Sequence, residues 1–169
     1  ATAMTDHLLY HRDDEGVVTL TMNRPQMRNA ASLEMLDAMH RHLLAIESDP
    51  SIRCVVLCGS GEQFMAGGDV AAFAEMARLP PPERRTALQM RLAKSAPIFP
   101  LIERLPQPVV ASVRGTVAGG GLGFLLACDL AVAADDSKFV LSHVKLGLSP
   151  DGSSSWHLPR TIGVKKSKQ

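Results

Sequence analysis

Three consecutive glycines, Gly119 to Gly121, join a short apolar segment, Val109–Val113, to a second apolar segment that begins at Leu122. The first segment is rich in β-branched residues and is bounded by Pro108 and Gly115, which is typical of a buried strand. Each glycine loses more backbone entropy on folding than any other residue, so the run is costly. A strand that enters a helix through such a run leaves the first helical N–H groups unpaired and open to close approach.

We interpret the glycine run as an oxyanion site, because the start of a helix favours negative charge, whether permanent or developing. A tight connection packed against a neighbour is an equally good explanation of the run taken alone. Gly119, Gly121 and Phe124 do not fit the G-x-G-x-x-G pattern, and no Gly-Lys-Ser/Thr follows. The sequence therefore supports neither a dinucleotide nor a P-loop nucleotide.

Composition narrows the class of protein. Residues 1–169 predict one domain, and a hydrophobic content of 46% excludes intrinsic disorder. A net charge of +1 gives no support for a nucleic-acid partner. No apolar run approaches membrane-spanning length, and we expect no membrane partner and a cytoplasmic location. Three cysteines without zinc spacing, Cys54, Cys58 and Cys128, are expected to be buried free thiols.

The first half of the chain predicts a hairpin, a helix, a strand and a second helix. Residues 8–12 and 17–22 flank a turn that ends in glycine, which indicates a β-hairpin. Apolar residues recur at three and four from 32 to 48, as in an amphipathic helix. A buried strand is expected over 53–58, and a helix over 70–77 with Asp69 as its N-cap.

The second half predicts a longer helix and further strands. The helix is expected from Glu83 to about Ala96, with Leu88 and Leu92 facing the core and prolines interrupting its continuation to Leu105. Four basic residues of this helix are expected to form a solvated face: Arg84, Arg85, Arg91 and Lys94. Short strands are expected over 129–134 and 138–141. Strands that alternate with helices indicate an α/β layered fold.

Asp151 follows a proline and precedes a serine-rich helix start. By itself this position is better explained as an Asx-turn or N-cap than as a catalytic group. His143 and His157 have no partner at a metal-ligand spacing, so we predict no metal site.

Four segments of the chain resemble the crotonase (enoyl-CoA hydratase/isomerase) family: 23–30, with Asn23-Arg24-Pro25 and Asn29-Ala30, then 64–69, 108–129 and 145–163. They lie in the family's order and at its spacing, and cover essentially the whole chain. The resemblance implies an α/β crotonase-type spiral of ββα units, which assembles as a homotrimer or a dimer of trimers. It also implies an acyl-CoA substrate, with coenzyme A entering as part of that substrate and no separate cofactor. Residues 1–169 would then be an acyl-CoA-binding catalytic domain that stabilises a thioester enolate.

The resemblance also implies the site residues. The two oxyanion-hole N–H donors fall on Gly68 and Gly120. The backbone of Ala66 is expected to meet the adenine of coenzyme A, while Arg28 and Ala30 line its nucleotide and pantetheine. The other residues expected to contact the substrate are Gly67, Asp69, Val70, Gly119, Gly123 and His143.

Departures from the family pattern bear on the reaction. The two glutamates of the hydratases fall on Gly123 and His143. A third position, used by the isomerases and as the nucleophile of 4-chlorobenzoyl-CoA dehalogenases, falls on Asp151, whereas the dehalogenase histidine base falls on Ala96. One carboxylate suffices to move a proton from C2 to C4, so the sequence predicts an enoyl-CoA isomerase with Asp151 as acid and base. Hydration by His143 with Asp151, or acyl-CoA binding without catalysis, remain alternatives.

Family members continue beyond the equivalent of residue 169. We therefore expect the C-terminal helices of the family fold to be missing from this chain, and its basic tail from Gly163 onward to be an interrupted helix.

Overall fold

A computed structural model describes residues 6–168 of the chain. In chain order, the strands of this part are β1 (Leu8–Arg12), β2 (Val17–Met22), β3 (Cys54–Gly59), β4 (Val109–Val113), β5 (Thr116–Ala118), β6 (Leu130–Ala133) and β7 (Lys138–Val140). The helices are α1 (Leu33–Glu47), α2 (Val70–Ala77), α3 (Pro81–Ser95), α4 (Ile98–Arg104), α5 (Gly120–Ala127), α6 (Ser154–Ile162) and α7 (Val164–Ser167). Short 3-10 helices lie at Pro25–Met27 and His143–Leu146.

Five strands form one sheet in the order β1-β2-β3-β4-β6, and β5 pairs with β7 in a second sheet. Only β1 is antiparallel to its neighbour; the other pairs are parallel. Leu20 lies opposite Leu57, which lies opposite Ala111, so one buried row crosses the sheet. The predicted α/β layering is confirmed, because α1, α4 and α5 bury their apolar faces in the same core as these strands.

The predictions for the first half are largely confirmed. The hairpin has the predicted bounds, and its turn is fixed by Asp13, whose carboxylate accepts hydrogen bonds from the N–H groups of Glu15 and Val17. Helix α1 begins after Ser32, whose hydroxyl accepts from the N–H of Met35. Its apolar stripe is buried, as the periodicity predicts.

Helix α3 departs from the prediction in two ways. It begins at Pro81, because proline is compatible with the first turn of a helix. Its predicted faces are only partly correct: Arg84 and Arg85 are exposed as predicted, but Leu92 is 43% exposed and Arg91 only 9%. The reason is that α3 covers a cavity instead of packing flat on the core. Lys94 also has a partner, since its ammonium lies 2.6 Å from a carboxylate oxygen of Asp37.

The three cysteines are free, as predicted, but they are half-buried instead of buried. Burial raises the pKa of the Cys128 thiol to about 12, so this thiol is uncharged at neutral pH and a poor nucleophile. Within residues 6–168, no helix is both long enough and apolar enough to cross a membrane.

Candidate active site

The segment Met65 to Gly68 is held from both sides. On one side, the N–H of Ala66 donates to the carbonyl of Arg28 (2.9 Å) and the N–H of Ala31 donates to the carbonyl of Gly67 (2.8 Å). On the other, the N–H of Ala118 in β5 donates to the carbonyl of Met65 (2.9 Å). The backbone of this loop is therefore fixed by hydrogen bonds that leave the Gly68 N–H unused.

The loop that supplies the first of these contacts owes its shape to Asn29. Arg28 and Asn29 both have positive φ, at 50° and 56°, a conformation that asparagine tolerates better than most residues. The fully buried Asn29 amide donates to the carbonyls of Ser60 and Gln63, and its oxygen accepts from the N–H of Arg24. This buried asparagine therefore joins the loop after β2 to the loop after β3.

Asp69 is the N-cap of α2, as predicted. Its Oδ1 accepts from the N–H groups of Ala71 and Ala72, and its Oδ2 lies 3.0 Å from the guanidinium of Arg24. Burial raises the pKa of Asp69, but the Ala72 N–H and Arg24 outweigh burial and hold this pKa below its ordinary value. Both oxygens of Asp69 are thus used in fixing the loop that carries Gly68.

Gly120 is the first residue of α5, directly opposite the Gly68 loop. A Cβ added to Gly67 would lie 2.7 Å from the carbonyl oxygen of Ala118 and 3.0 Å from the nitrogen of Gly120, so only glycine allows this close approach. In the described part of the chain, neither the Gly68 N–H nor the Gly120 N–H donates to a protein acceptor. Two unpaired donors therefore lie at the edge of one site, as the oxyanion interpretation requires.

His143 and Asp151 form a pair, which brings together the two residues named for the alternative of hydration. Nε2 of His143 lies 2.8 Å from Oδ1 of Asp151. His143 is buried at 6% exposure, whereas half of the Asp151 side chain is accessible. The Asp151 carboxylate does not cap α6; instead its backbone carbonyl accepts from Ser154. The simpler N-cap explanation of Asp151 is therefore wrong.

A cavity of about 250 Å³ brings these groups together. Gly68, Gly120 and Asp151 all line it, and a Cβ added to Gly120 would lie 3.5 Å from Oδ1 of Asp151. The rest of the wall is mostly apolar and is formed by Ala31, Leu36, Met65, Gly67, Phe73, Leu88, Arg91, Leu92, Ser95, Phe99, Phe124, Leu148 and Ser149. A carboxylate and two free N–H groups thus open onto an apolar chamber.

Gly123 lies behind this wall and has no room for a side chain. A Cβ there would lie 2.6 Å from the carbonyl oxygen of Gly152 and 2.9 Å from the ring of Phe99. The loop after Asp151 therefore fills the space into which a glutamate at position 123 would extend.

The other residues expected to bind substrate divide into three groups. Gly67 lines the cavity, while Gly119 and His143 lie directly behind it. Residues that flank the Gly68 loop, without lining the cavity, are Arg28, Ala30, Ala66 and Asp69. Val70 is 55% exposed and borders a separate depression between α2 and α3.

Sequence reasoning missed the α3 wall. Leu88, Arg91, Leu92 and Ser95 recur at three and four, so they share one face of the helix, and all four line the cavity. The Arg91 guanidinium donates to the carbonyl of Ala31 (2.5 Å) and lies 5.0 Å from the centre of the Phe73 ring. Burial lowers the pKa of Arg91, but a guanidinium remains charged at any physiological pH. The helical spacing of Arg91 with Leu88 and Leu92 is the sequence feature from which this wall could have been predicted.

Comparisons with known proteins show the family to which the chain belongs. The family described as Enoyl-CoA hydratase/isomerase matches residues 12–169. The chain is 33% identical over 165 residues to 4-chlorobenzoyl coenzyme A dehalogenase-2 of Arthrobacter sp., covering 98% of this chain and 59% of the relative. It is 36% identical over 160 residues to 1,2-epoxyphenylacetyl-CoA isomerase of Escherichia coli (strain K12), covering 95% and 60%.

Among solved structures, an enoyl-CoA hydratase of Mycobacterium smegmatis superposes with a TM-score of 0.86 at 38% identity, covering 97% of this chain and 61% of that one. The chain thus spans about three fifths of the length of the proteins it matches. The predicted crotonase-type α/β fold is confirmed by this superposition. By sequence and by fold, the chain belongs to the enoyl-CoA hydratase/isomerase family.

Proposed function

We propose that the protein moves the double bond of an enoyl-CoA, with Asp151 as the acid and base. One observation supports this most: the Asp151 carboxylate and the free N–H groups of Gly68 and Gly120 open onto the same cavity. Coenzyme A would enter as part of the substrate, and the chemistry would need no further cofactor.

The chemistry follows from the placement of these groups. Asp151 removes a proton from C2 of a 3-enoyl thioester, and the electron pair of that C–H bond delocalises onto the thioester oxygen. The N–H groups of Gly68 and Gly120 would stabilise this oxyanion, and removing one such donor typically costs about 2.7–4 kcal/mol of transition-state stabilisation. The protonated Asp151 then returns the proton to C4, which leaves the double bond between C2 and C3. Proton and charge balance without a second carboxylate.

His143 supports Asp151 in this scheme. Within the described residues, Nδ1 of His143 is buried without a partner, so a proton there would be a buried, unpaired donor. We therefore assign the imidazole proton to Nε2, which donates to Oδ1 of Asp151. This hydrogen bond fixes one carboxylate oxygen and leaves Oδ2 for the substrate proton.

The names of the relatives include an isomerase and a dehalogenase, and that of the superposed structure a hydratase, so they agree on acyl-CoA chemistry but not on the reaction. Isomerisation fits this site better than hydration by two carboxylates, because Asp151 is the one carboxylate among the residues that line the cavity. Dehalogenation fits less well, because the lining includes no histidine and Ala96 lies outside it.

The test is conversion of a 3-enoyl-CoA, followed by the ultraviolet absorption of the conjugated thioester. Asp151→Asn keeps an acceptor for the His143 proton but cannot accept the substrate proton, so we expect its rate to fall by at least about hundredfold. Asp136→Asn, at an exposed acidic residue remote from the cavity, is the matched control. Equal rates for wild type and Asp151→Asn would rule out the assignment.

Hydration is a second candidate, and the His143–Asp151 pair is the observation that favours it. This pair could orient a water, as two carboxylates do in other members of the family. Incubation with a 2-enoyl-CoA in ¹⁸O-labelled water would give labelled 3-hydroxyacyl-CoA if hydration occurs. Absence of the label removes this candidate.

Binding without catalysis is a third candidate, because the chain has no glutamate at positions 123 and 143. It predicts acyl-CoA binding that Asp151→Asn does not change, and no exchange at C2. Deuterium incorporation at C2 of a bound saturated acyl-CoA, detected by mass spectrometry, would contradict it.

We also propose that the protein assembles as a homotrimer or a dimer of trimers. The support is the exposure of large apolar side chains on β6 and β7, where Leu130, Val132 and Phe139 are 64%, 68% and 51% exposed. Exposed apolar patches that are large and contiguous often mark contacts with another protein chain. Light scattering coupled to gel filtration would measure the mass of the assembly, and a monomer at micromolar concentration would contradict the proposal.

A further inference from the structure

Arg91 is a buried cation whose charge has no direct anionic partner in residues 6–168. It is nine-tenths buried, and it forms no ion pair within 4.0 Å there. The two carboxylates nearest in electrostatic effect, Asp69 and Asp151, are engaged elsewhere, with Arg24 and His143 respectively. A buried charge in this condition is unfavourable unless something else compensates it.

The guanidinium also has donors to spare. It has five N–H groups, and the structure describes a protein acceptor, the carbonyl of Ala31, for one nitrogen only. The other nitrogens of Arg91 are not fully buried, so they retain surface that a ligand can reach.

Arg91 lines the cavity. It also borders a second depression, distinct from the one at Val70 and lined by Leu33 and Met90. The two residues that the guanidinium contacts, Ala31 and Phe73, both line the cavity, and neither borders this second depression, so the guanidinium lies on the cavity side of α3.

We propose that Arg91 forms a recognition site for an acceptor oxygen on the acyl group, at a distance from the reacting carbons. This inference rests on the proposed function, because it assumes that the cavity holds the acyl group of a CoA thioester. The substrate class is then an acyl-CoA that carries a carboxylate or a carbonyl oxygen, in preference to a plain hydrocarbon chain.

The physical reason is a matched donor and acceptor in an apolar chamber. An oxygen that accepts from the free edge of Arg91 compensates the desolvated charge, and charge-assisted hydrogen bonds are about twice as strong as neutral ones. A plain chain would leave the same N–H groups unpaired next to hydrocarbon. The site therefore both favours the oxygenated group and disfavours its absence.

The experiment is calorimetric binding of matched pairs of saturated acyl-CoA thioesters, which cannot be isomerised. The pairs are hexanoyl-CoA with adipoyl-CoA, hexanoyl-CoA with 5-oxohexanoyl-CoA and, because three phenylalanine rings line the cavity, benzoyl-CoA with 4-carboxybenzoyl-CoA. We expect the oxygenated member of at least one pair to bind about tenfold more tightly or better. Comparison of 5-oxohexanoyl-CoA with adipoyl-CoA shows whether a ketone or a carboxylate oxygen is preferred.

Variants separate recognition from a merely structural role. Arg91→Gln lacks the charge and the paired donors of the guanidinium, so it should lose the preference, with weaker binding of the oxygenated member and equal or tighter binding of the plain chain. Arg91→Lys keeps the charge, and should keep part of the preference. Arg85→Gln, at an exposed arginine of the same helix, is the matched control.

The inference is overturned if wild type shows no preference within any pair, or if Arg91→Gln weakens both members of a pair equally. It then fails by itself, provided that the plain thioesters still bind. If no acyl-CoA binds wild type at all, the proposed function fails as well, so the two failures are distinct.

Discussion

Nε2 of the buried His143 lies 2.8 Å from Oδ1 of the half-exposed Asp151, eight residues further along the chain. A hydrogen bond to a charged group typically contributes about 1.5–3 kcal/mol. It also holds the carboxylate in one rotamer at the edge of the cavity, with the other oxygen free.

Removing this donor should lower the rate more than the affinity. We expect His143→Phe, which fills the space but cannot donate, to reduce kcat for isomerisation by about tenfold to hundredfold with little change in KM. His143→Gln places an amide donor near the same point and should recover most of the loss. Steady-state kinetics on a 3-enoyl-CoA measures both. If kcat is equally low in the His143→Gln and His143→Phe variants, His143 acts only through packing.

Gly120→Pro should remove one oxyanion donor without removing the helix. Gly120 is the first residue of α5, and proline is compatible with that position because its missing N–H has no intrahelical acceptor. We expect kcat/KM to fall by about 10²–10³-fold. The control is Leu33→Pro at the equivalent position of α1, where the preceding Ser32 is already extended. Full activity in Gly120→Pro would remove this N–H from the mechanism.

Gly123→Ala should destabilise the fold, whereas Gly120→Ala should not. The new methyl at position 123 would lie 2.6 Å from the Gly152 carbonyl oxygen, but at position 120 its nearest neighbour is Oδ1 of Asp151 at 3.5 Å. Overpacking of this kind costs about 1–3 kcal/mol, and the difference should appear in the free energies of unfolding from urea titrations. A Gly123→Glu variant should gain no hydratase activity for the same reason. Equal free energies of unfolding for the two alanine variants would contradict this prediction and show that the loop of Gly152 moves aside at little cost.

Asp69 should make the protein sensitive to acid. Its pKa is lower in the folded protein than its ordinary value, because the Ala72 N–H and Arg24 outweigh burial. A group of this kind stabilises the fold above its unfolded pKa, and this contribution is lost as the pH falls through the folded pKa. Asp69→Asn should therefore be less stable than wild type at pH 7, and the difference should shrink below about pH 4.

Urea titrations across this pH range, with the exposed Asp14→Asn as control, would test the Asp69 prediction. A stability difference between wild type and Asp69→Asn that stays constant with pH would contradict it.

Local patterns predicted the parts of the fold that depend on local chemistry. The hairpin turn at Asp13 and the cap at Asp69 each follow from a side chain that bonds to backbone two to four residues away. Strand β5 was missed because its three residues are stabilised by pairing with β7, about twenty residues later. A segment of three residues has no periodicity of its own.

The residues of the candidate site also separate into those that the sequence predicted and those that depend on tertiary packing. The glycine run predicted a site at Gly120, and the resemblance added Gly68; both residues line one cavity. His143 and Asp151 were named together only for the alternative of hydration, because their contact depends on a 3-10 helix followed by residues with positive φ. Arg91 was assigned to solvent because arginine usually lies there, and only the packing of α3 over the cavity decides otherwise.

The carbonyl of Ala31 accepts from Arg91, while the N–H of Ala31 donates to Gly67, the neighbour of Gly68. Two hydrogen bonds in series therefore connect the α3 wall to the loop that carries Gly68. On the proposed function, an acyl group bound at Arg91 would be linked in this way to the loop that faces its thioester. Binding energy from the far end of the substrate would then be available to the transition state, so substitutions in α3 should change turnover as well as affinity.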